Sequence, residues 1–134
     1  MIYMLDANVC IYAINKQPVS YYKRLEQLEK DHVLTISSIV LAELQYGVAA
    51  SKYRQENQMK VNIFLNKLEV MDYTSKCAYF YGEIRAELKS KGTIIGSNDL
   101  LIASHALSEN AVLVTNNTSE FQRIKGLVLE NWKQ

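Results

Sequence analysis

The chain has 134 residues, of which 49% are hydrophobic and 22% charged, and its formal net charge is +1. That length makes one domain, residues 1–134, able to bury its own core, and the near-zero charge excludes a global basic field for gathering a polyanion. No apolar run nears the roughly twenty residues of a membrane-spanning helix, and the opening lacks a basic leader, so a cytoplasmic location is expected.

The first stretch, Met1 to Asn15, organises the rest. Ile2 to Leu5 suits a buried strand that stops at Asp6, and Asn8 to Ile14 suits a buried helix. Pro18 can open the next helix in its first turn, and Tyr21 or Tyr22, Leu25 and Leu28 give that helix one apolar face. His32 to Ile36 reads as a second strand, after which Ser37 and Ser38 offer capping hydroxyls to a helix over Ile39 to Ser51. A polar helix from Tyr53 to Lys67 is expected to turn Met59, Ile63 and Phe64 inward. Glu69 to Asp72 gives a third strand. Ser75 to Lys91 is a long helix, ended by a cation and then Gly92. Ser97 is the expected cap of an apolar helix over Leu100 to Leu107. Ala111 to Val114 and Leu127 to Leu129 complete the strands. Their alternation with helices predicts an α/β fold, a three-layer α/β/α sandwich around a mainly parallel sheet. Cys10 and Cys77 fit no disulfide or metal pattern and read as small core residues.

Three acids resist a purely structural account. Asp6 ends a strand where α/β sheets bind ligands, although taken alone it is more simply explained as the cap of the following helix. Glu43, inside the apolar run IVLAELQYGV, is costly to bury without an ion pair or a metal. Asp99 sits in a first helical turn, where the dipole favours it; the local pattern leaves open which edge of the sheet it faces. The polar run Thr115 to Glu120 leaves a strand at the same edge as Asp6. Carboxylates converging there need a cation, and oxygen-only ligands favour Mg²⁺ or Mn²⁺, ions that activate water for attack on a phosphodiester. A phosphatase of the HAD type also ends its first strand in aspartate, but needs a second aspartate where Asn8 stands.

The chain resembles the PIN-domain ribonucleases, in particular the VapC toxins of bacterial toxin–antitoxin pairs. The likeness runs through MLDAN (Met4 to Asn8), SSIVLAELQYG (Ser37 to Gly47), IGSNDLLIASHAL (Ile95 to Leu107), LVTNNTSEFQRI (Leu113 to Ile124) and LENW (Leu129 to Trp132). It implies a Mg²⁺- or Mn²⁺-dependent endoribonuclease that cuts RNA, with structured RNA such as tRNA as the substrate class, and stops translation. By position Asp6, Glu43 and Asp99 match the acidic metal-binding triad. Glu120 is then an outer contact to metal or water, and Asn8, Thr115 and Asn117 orient the acids. Family members commonly carry Thr or Ser where this chain has Ala7; a catalytically silent PIN-like binding or dimerisation module is therefore the competing reading. A cognate antitoxin and a homodimer are the implied partners, with Tyr21, Tyr22, Tyr53, Tyr73, Tyr79 and Tyr81 as interface material. Lys52, Arg54, Lys89, Lys91, Arg123 and Lys125 are candidates for an RNA-binding rim.

Overall fold

The computed structural model describes residues 1–133. In chain order the elements are β1 (Ile2–Leu5), α1 (Ala7–Asn15), α2 (Val19–Leu28), β2 (Val33–Ser37), α3 (Ser38–Ala49), α4 (Arg54–Leu65), β3 (Glu69–Met71), α5 (Ser75–Ser90), α6 (Ser97–Ser108), β4 (Val112–Val114), α7 (Thr118–Phe121) and β5 (Val128–Glu130). The strands form one five-stranded sheet in the order β3-β2-β1-β4-β5, and every pairing is parallel. This is the α/β layered fold expected from the alternation of apolar runs and amphipathic helices.

Strand order reverses at β1. From it the chain builds outward through β2 to β3, then returns to its other side for β4 and β5. In a doubly wound sheet the crevice outside the strand ends at such a reversal is where ligands bind. Here it opens between the ends of β1 and β4, where the backbone N–H of Asp6 donates to the Val114 carbonyl at 3.1 Å.

The core is drawn from both ends of the chain: Met4, Leu5, Val9, Leu25, Ile36, Val40, Leu88, Leu100, Leu113 and Phe121 are all buried. Cys10 and Cys77 are buried free thiols, as their apolar settings predict. Three local expectations change. Pro18 occupies the cap position before α2 rather than its first turn. The residue preceding α6 is Gly96, so Ser97 is already helical and makes no cap, and Asp99 stays in the first turn. On α4 Phe64 is buried as expected, but Met59 and Ile63 are 64% and 61% exposed, and Val61 is the helix's second buried residue.

Candidate active site

Asp6 is both cap and candidate ligand. Its Oδ1 accepts from the Val9 N–H at 3.0 Å, fixing the start of α1, while the residue stays 9% accessible at the mouth of the crevice. Burial pushes its carboxyl above the usual range, and the Thr115 hydroxyl with the Val9 and Asn8 amides draws it partly back. Thr115 leaves β4, and its Oγ1 also accepts from the Asn117 N–H at 3.0 Å. Where Ala7 offers no hydroxyl, the Thr115 hydroxyl just past β4 stands beside Asp6 and favours its ionised form.

Glu43 is carried on α3, whose start is fixed by Ser37 accepting from the Ile39 N–H at 3.1 Å. The same Ser37 hydroxyl lies 2.7 Å from Nδ1 of the buried His105 on α6, tying the helix of Glu43 to the helix of Asp99. No lysine or arginine pairs with Glu43 among the described residues. Its Oε1 is buried without a hydrogen-bond partner. Burial raises its carboxyl, Asn98 opposes that, and the charge of Asp6 adds to it. Asn98 had no role assigned from the sequence; its signal was masked by lying between the hydroxyl of Ser97 and the acid of Asp99.

Asp99 is the most perturbed acid. It is half-buried, and its carboxyl is pushed from 3.8 up to about 6, first by desolvation, then by the facing Glu120 carboxyl, then by Asp6 and Glu43. Glu120, on α7, is in turn held by Asn117, whose Nδ2 donates to Oε2 at 3.0 Å. Burial and the charges of Asp6 and Glu43 together raise the Cys10 thiol beneath them. Four acids from four separate elements thus feel one another electrostatically across one crevice. Beside them a cleft of about 540 Å³ is lined by Ala7, Asn8, Glu43, Tyr46 and Asn98, among others. Asn116, a second residue without a sequence-based role, accepts from the Tyr21 hydroxyl at 2.8 Å and anchors the β4–α7 loop to α2. Tyr21 is 1% exposed and so cannot serve as interface material.

The profile of the PIN domain family matches residues 3–127. The chain belongs to the PIN-domain family. It is similar to Ribonuclease VapC2 of Rickettsia felis, 64% identical over 132 residues and 98% of each chain. It is also similar to the tRNA(fMet)-specific endonuclease VapC of Salmonella typhimurium, 43% identical over 130 residues and 97% of each. Among solved structures, VapBC2 from Rickettsia felis, bound to a DNA fragment from their promoter, matches with a TM-score of 0.95 at 62% identity. That match covers 99% of this chain and 100% of the other.

PIN-domain ribonucleases are generally divalent-metal dependent, and the donor set here fits such an ion. It is all oxygen, as hard cations require; it includes a buried carboxylate oxygen with no partner, and burial together with the neighbouring acids raises Asp99, a cost that a cation would offset. Among the described residues no three acidic, histidine or cysteine side chains are already gathered as a closed ligand set. Asp6 and Glu120 each accept from a local amide. No helix among those residues is long and apolar enough to cross a membrane.

Proposed function

We propose that this protein, a single PIN-like domain over residues 1–134, is the endoribonuclease toxin of a toxin–antitoxin pair and that Asp6, Glu43 and Asp99 hold its divalent cation. The observation that carries this is the convergence of four acids, from the end of β1 and from α3, α6 and α7, with no lysine or arginine paired to any of them among the described residues. Mg²⁺ is the expected ion, with Mn²⁺ able to replace it, because the donors are carboxylate oxygens.

When bound, the ion supplies a water of lowered pKa and compensates charge at the scissile phosphate. The chain's own residues do the rest. The N-cap bond and Thr115 hold Asp6 in one orientation. Asn98 orients Glu43 from α6, and Asn8 at the cleft wall is placed to do the same for substrate or water. Asn117 holds Glu120 where it faces Asp99, and Glu120 is the group placed to accept a proton from an attacking water.

The substrate is RNA, with structured RNA such as tRNA as its class, in keeping with the name of the Salmonella relative. A cognate antitoxin is the expected protein partner, since the solved relatives include VapBC complexes. A homodimer is also expected, and the exposed Tyr53 and Tyr79 offer it contact area. The deciding experiment incubates purified protein with total bacterial RNA in Mg²⁺, Mn²⁺ or EDTA beside an Asp99→Asn control. Discrete fragments that need both metal and Asp99 support the reading. Cleavage by the Asp99→Asn protein at the parent's rate would sink the triad, and no cleavage by a folded, metal-binding parent would favour the silent module.

A further inference from the structure

The cleft beside the acids does not end there. It continues into a hollow of about 230 Å³ that shares Ile11, Glu43 and Leu44 with it, and that hollow meets a smaller one through Ile14 and Lys60. Helix α1 runs along all three, from its cap Asp6 at one end to its cap Lys16 at the other. At 1.5 Å per residue that path is about 15 Å.

The chemistry reverses along it. Glu43 is the one carboxylate lining the three hollows among the described residues, and it lies at the acidic end. At the far end Lys16, Lys60 and Lys67 gather around Tyr22. Lys16 Nζ stands 4.6 Å and Lys67 Nζ 5.5 Å from the Tyr22 ring centroid. Neither lysine makes an ion pair among the described residues, and Lys60 meets only Glu56, at 3.8 Å on the surface. Each of Lys16 and Lys67 lies just past the C-terminus of a helix, where the dipole favours a cation. That accounts for one lysine per helix, and the Tyr22 ring attracts each ammonium in turn; both cations are left without a carboxylate partner among the described residues. Two of the other candidate cations are engaged elsewhere: Lys91 with Glu87 at 3.0 Å, and Arg123 with the Thr93 and Ile94 carbonyls.

We propose that Lys16 and Lys67, held together by Tyr22 and joined by Lys60, form a phosphate-binding subsite for the RNA strand that runs along α1 from the scissile phosphate. This rests on the ribonuclease reading. A path of about 15 Å takes more than one nucleotide to span, so the subsite engages only substrates that extend beyond the cut bond.

The test compares the parent with a Lys16→Gln, Lys67→Gln double variant and with Tyr22→Leu. Binding of a fluorescein-labelled oligouridylate long enough to reach the lysines, and of a dinucleotide too short to do so, is followed by anisotropy in Ca²⁺ across a salt series. The double variant is expected to bind the long RNA about tenfold more weakly, with a salt slope shallower by ~0.7 per lost lysine contact. Its dinucleotide binding and its kcat on RNA in Mg²⁺ are expected to match the parent. Tyr22→Leu is expected to give a smaller loss of the same kind, because the lysines remain but spread. Unchanged long-RNA affinity and salt slope in the double variant would overturn the subsite, as would an equal loss for the dinucleotide. Binding is read apart from cleavage, so a parent that binds RNA through these lysines but never cuts it would count against the enzymatic reading alone.

Discussion

Replacing Asp99 by Asn is expected to make the metal-free protein more stable and the metal-loaded protein impossible. The carboxyl is raised from 3.8 to about 6 by burial and by Glu120, Asp6 and Glu43. A folded state that holds its proton more tightly than the unfolded chain gains stability below the unfolded pKa and loses it as pH rises through the folded one. The metal-free protein is therefore expected to strengthen on acidification from pH 7.5 to about 5. A rise of that size is worth ~3 kcal/mol at full effect, but Asp99 is only half-buried, and solvent screening brings this to ~1 kcal/mol. For a chain of this length that is a rise in Tm of about 4 °C at pH 7.5. Differential scanning calorimetry of both proteins in EDTA measures it. Adding Mn²⁺ at a hundredfold excess over Kd stabilises the parent by ~2.7 kcal/mol and leaves the variant unmoved. A variant that melts lower than the parent in EDTA, with the parent's pH slope intact, would show that Asp99 is held by dipole and hydrogen bonds rather than strained by its neighbours.

Other substitutions report on separate parts of the site. Glu43→Gln is expected to weaken Mn²⁺ binding more than tenfold in a calorimetric titration while leaving the fold intact, since no ion pair is broken. In Glu120→Gln the Asp99 titration, followed by carboxyl NMR, should move down towards the ordinary carboxylate range, because its facing acid has gone. Tyr21→Phe removes the bond to Asn116 and is expected to cost ~1–2 kcal/mol in urea unfolding. For the parent, Mn²⁺ affinity should fall as pH drops through about 6, where the proton on Asp99 competes with the ion.

The sheet and the acids were legible in the sequence for different reasons. Short apolar runs ending in polar residues located every strand to within a residue or so, and a carboxylate inside an apolar run, as at Glu43, is visible because its burial demands an explanation. The direction of α4 was not legible. Met59, Val61, Ile63 and Phe64 place apolar groups around more than one face, and only packing against α1 and α3 decides that Val61 and Phe64 go inside. Long-range polar links left no local trace either: Tyr21 to Asn116, Ser37 to His105, and the two lysines on Tyr22 each join residues brought together only by the fold.

The parallel register between Leu5 and Val114 has a consequence for synthesis. Strand β1 leaves the ribosome well before β4, so one of its two edges has no partner until β4 has been made. Asp6 lacks Thr115 over the same interval, and Asp99 and Glu120 do not yet exist. At about 5–20 residues per second, the stretch from Asp6 to Glu120 takes on the order of ten seconds to make, and the acidic crevice cannot close sooner. A chain halted before β4 carries an open sheet edge and half a site, so shortened products are destined for aggregation or proteolysis rather than for partial activity. The crevice is completed only when β4 and α7 have followed β1, so its four acids are brought together late in the synthesis of this domain.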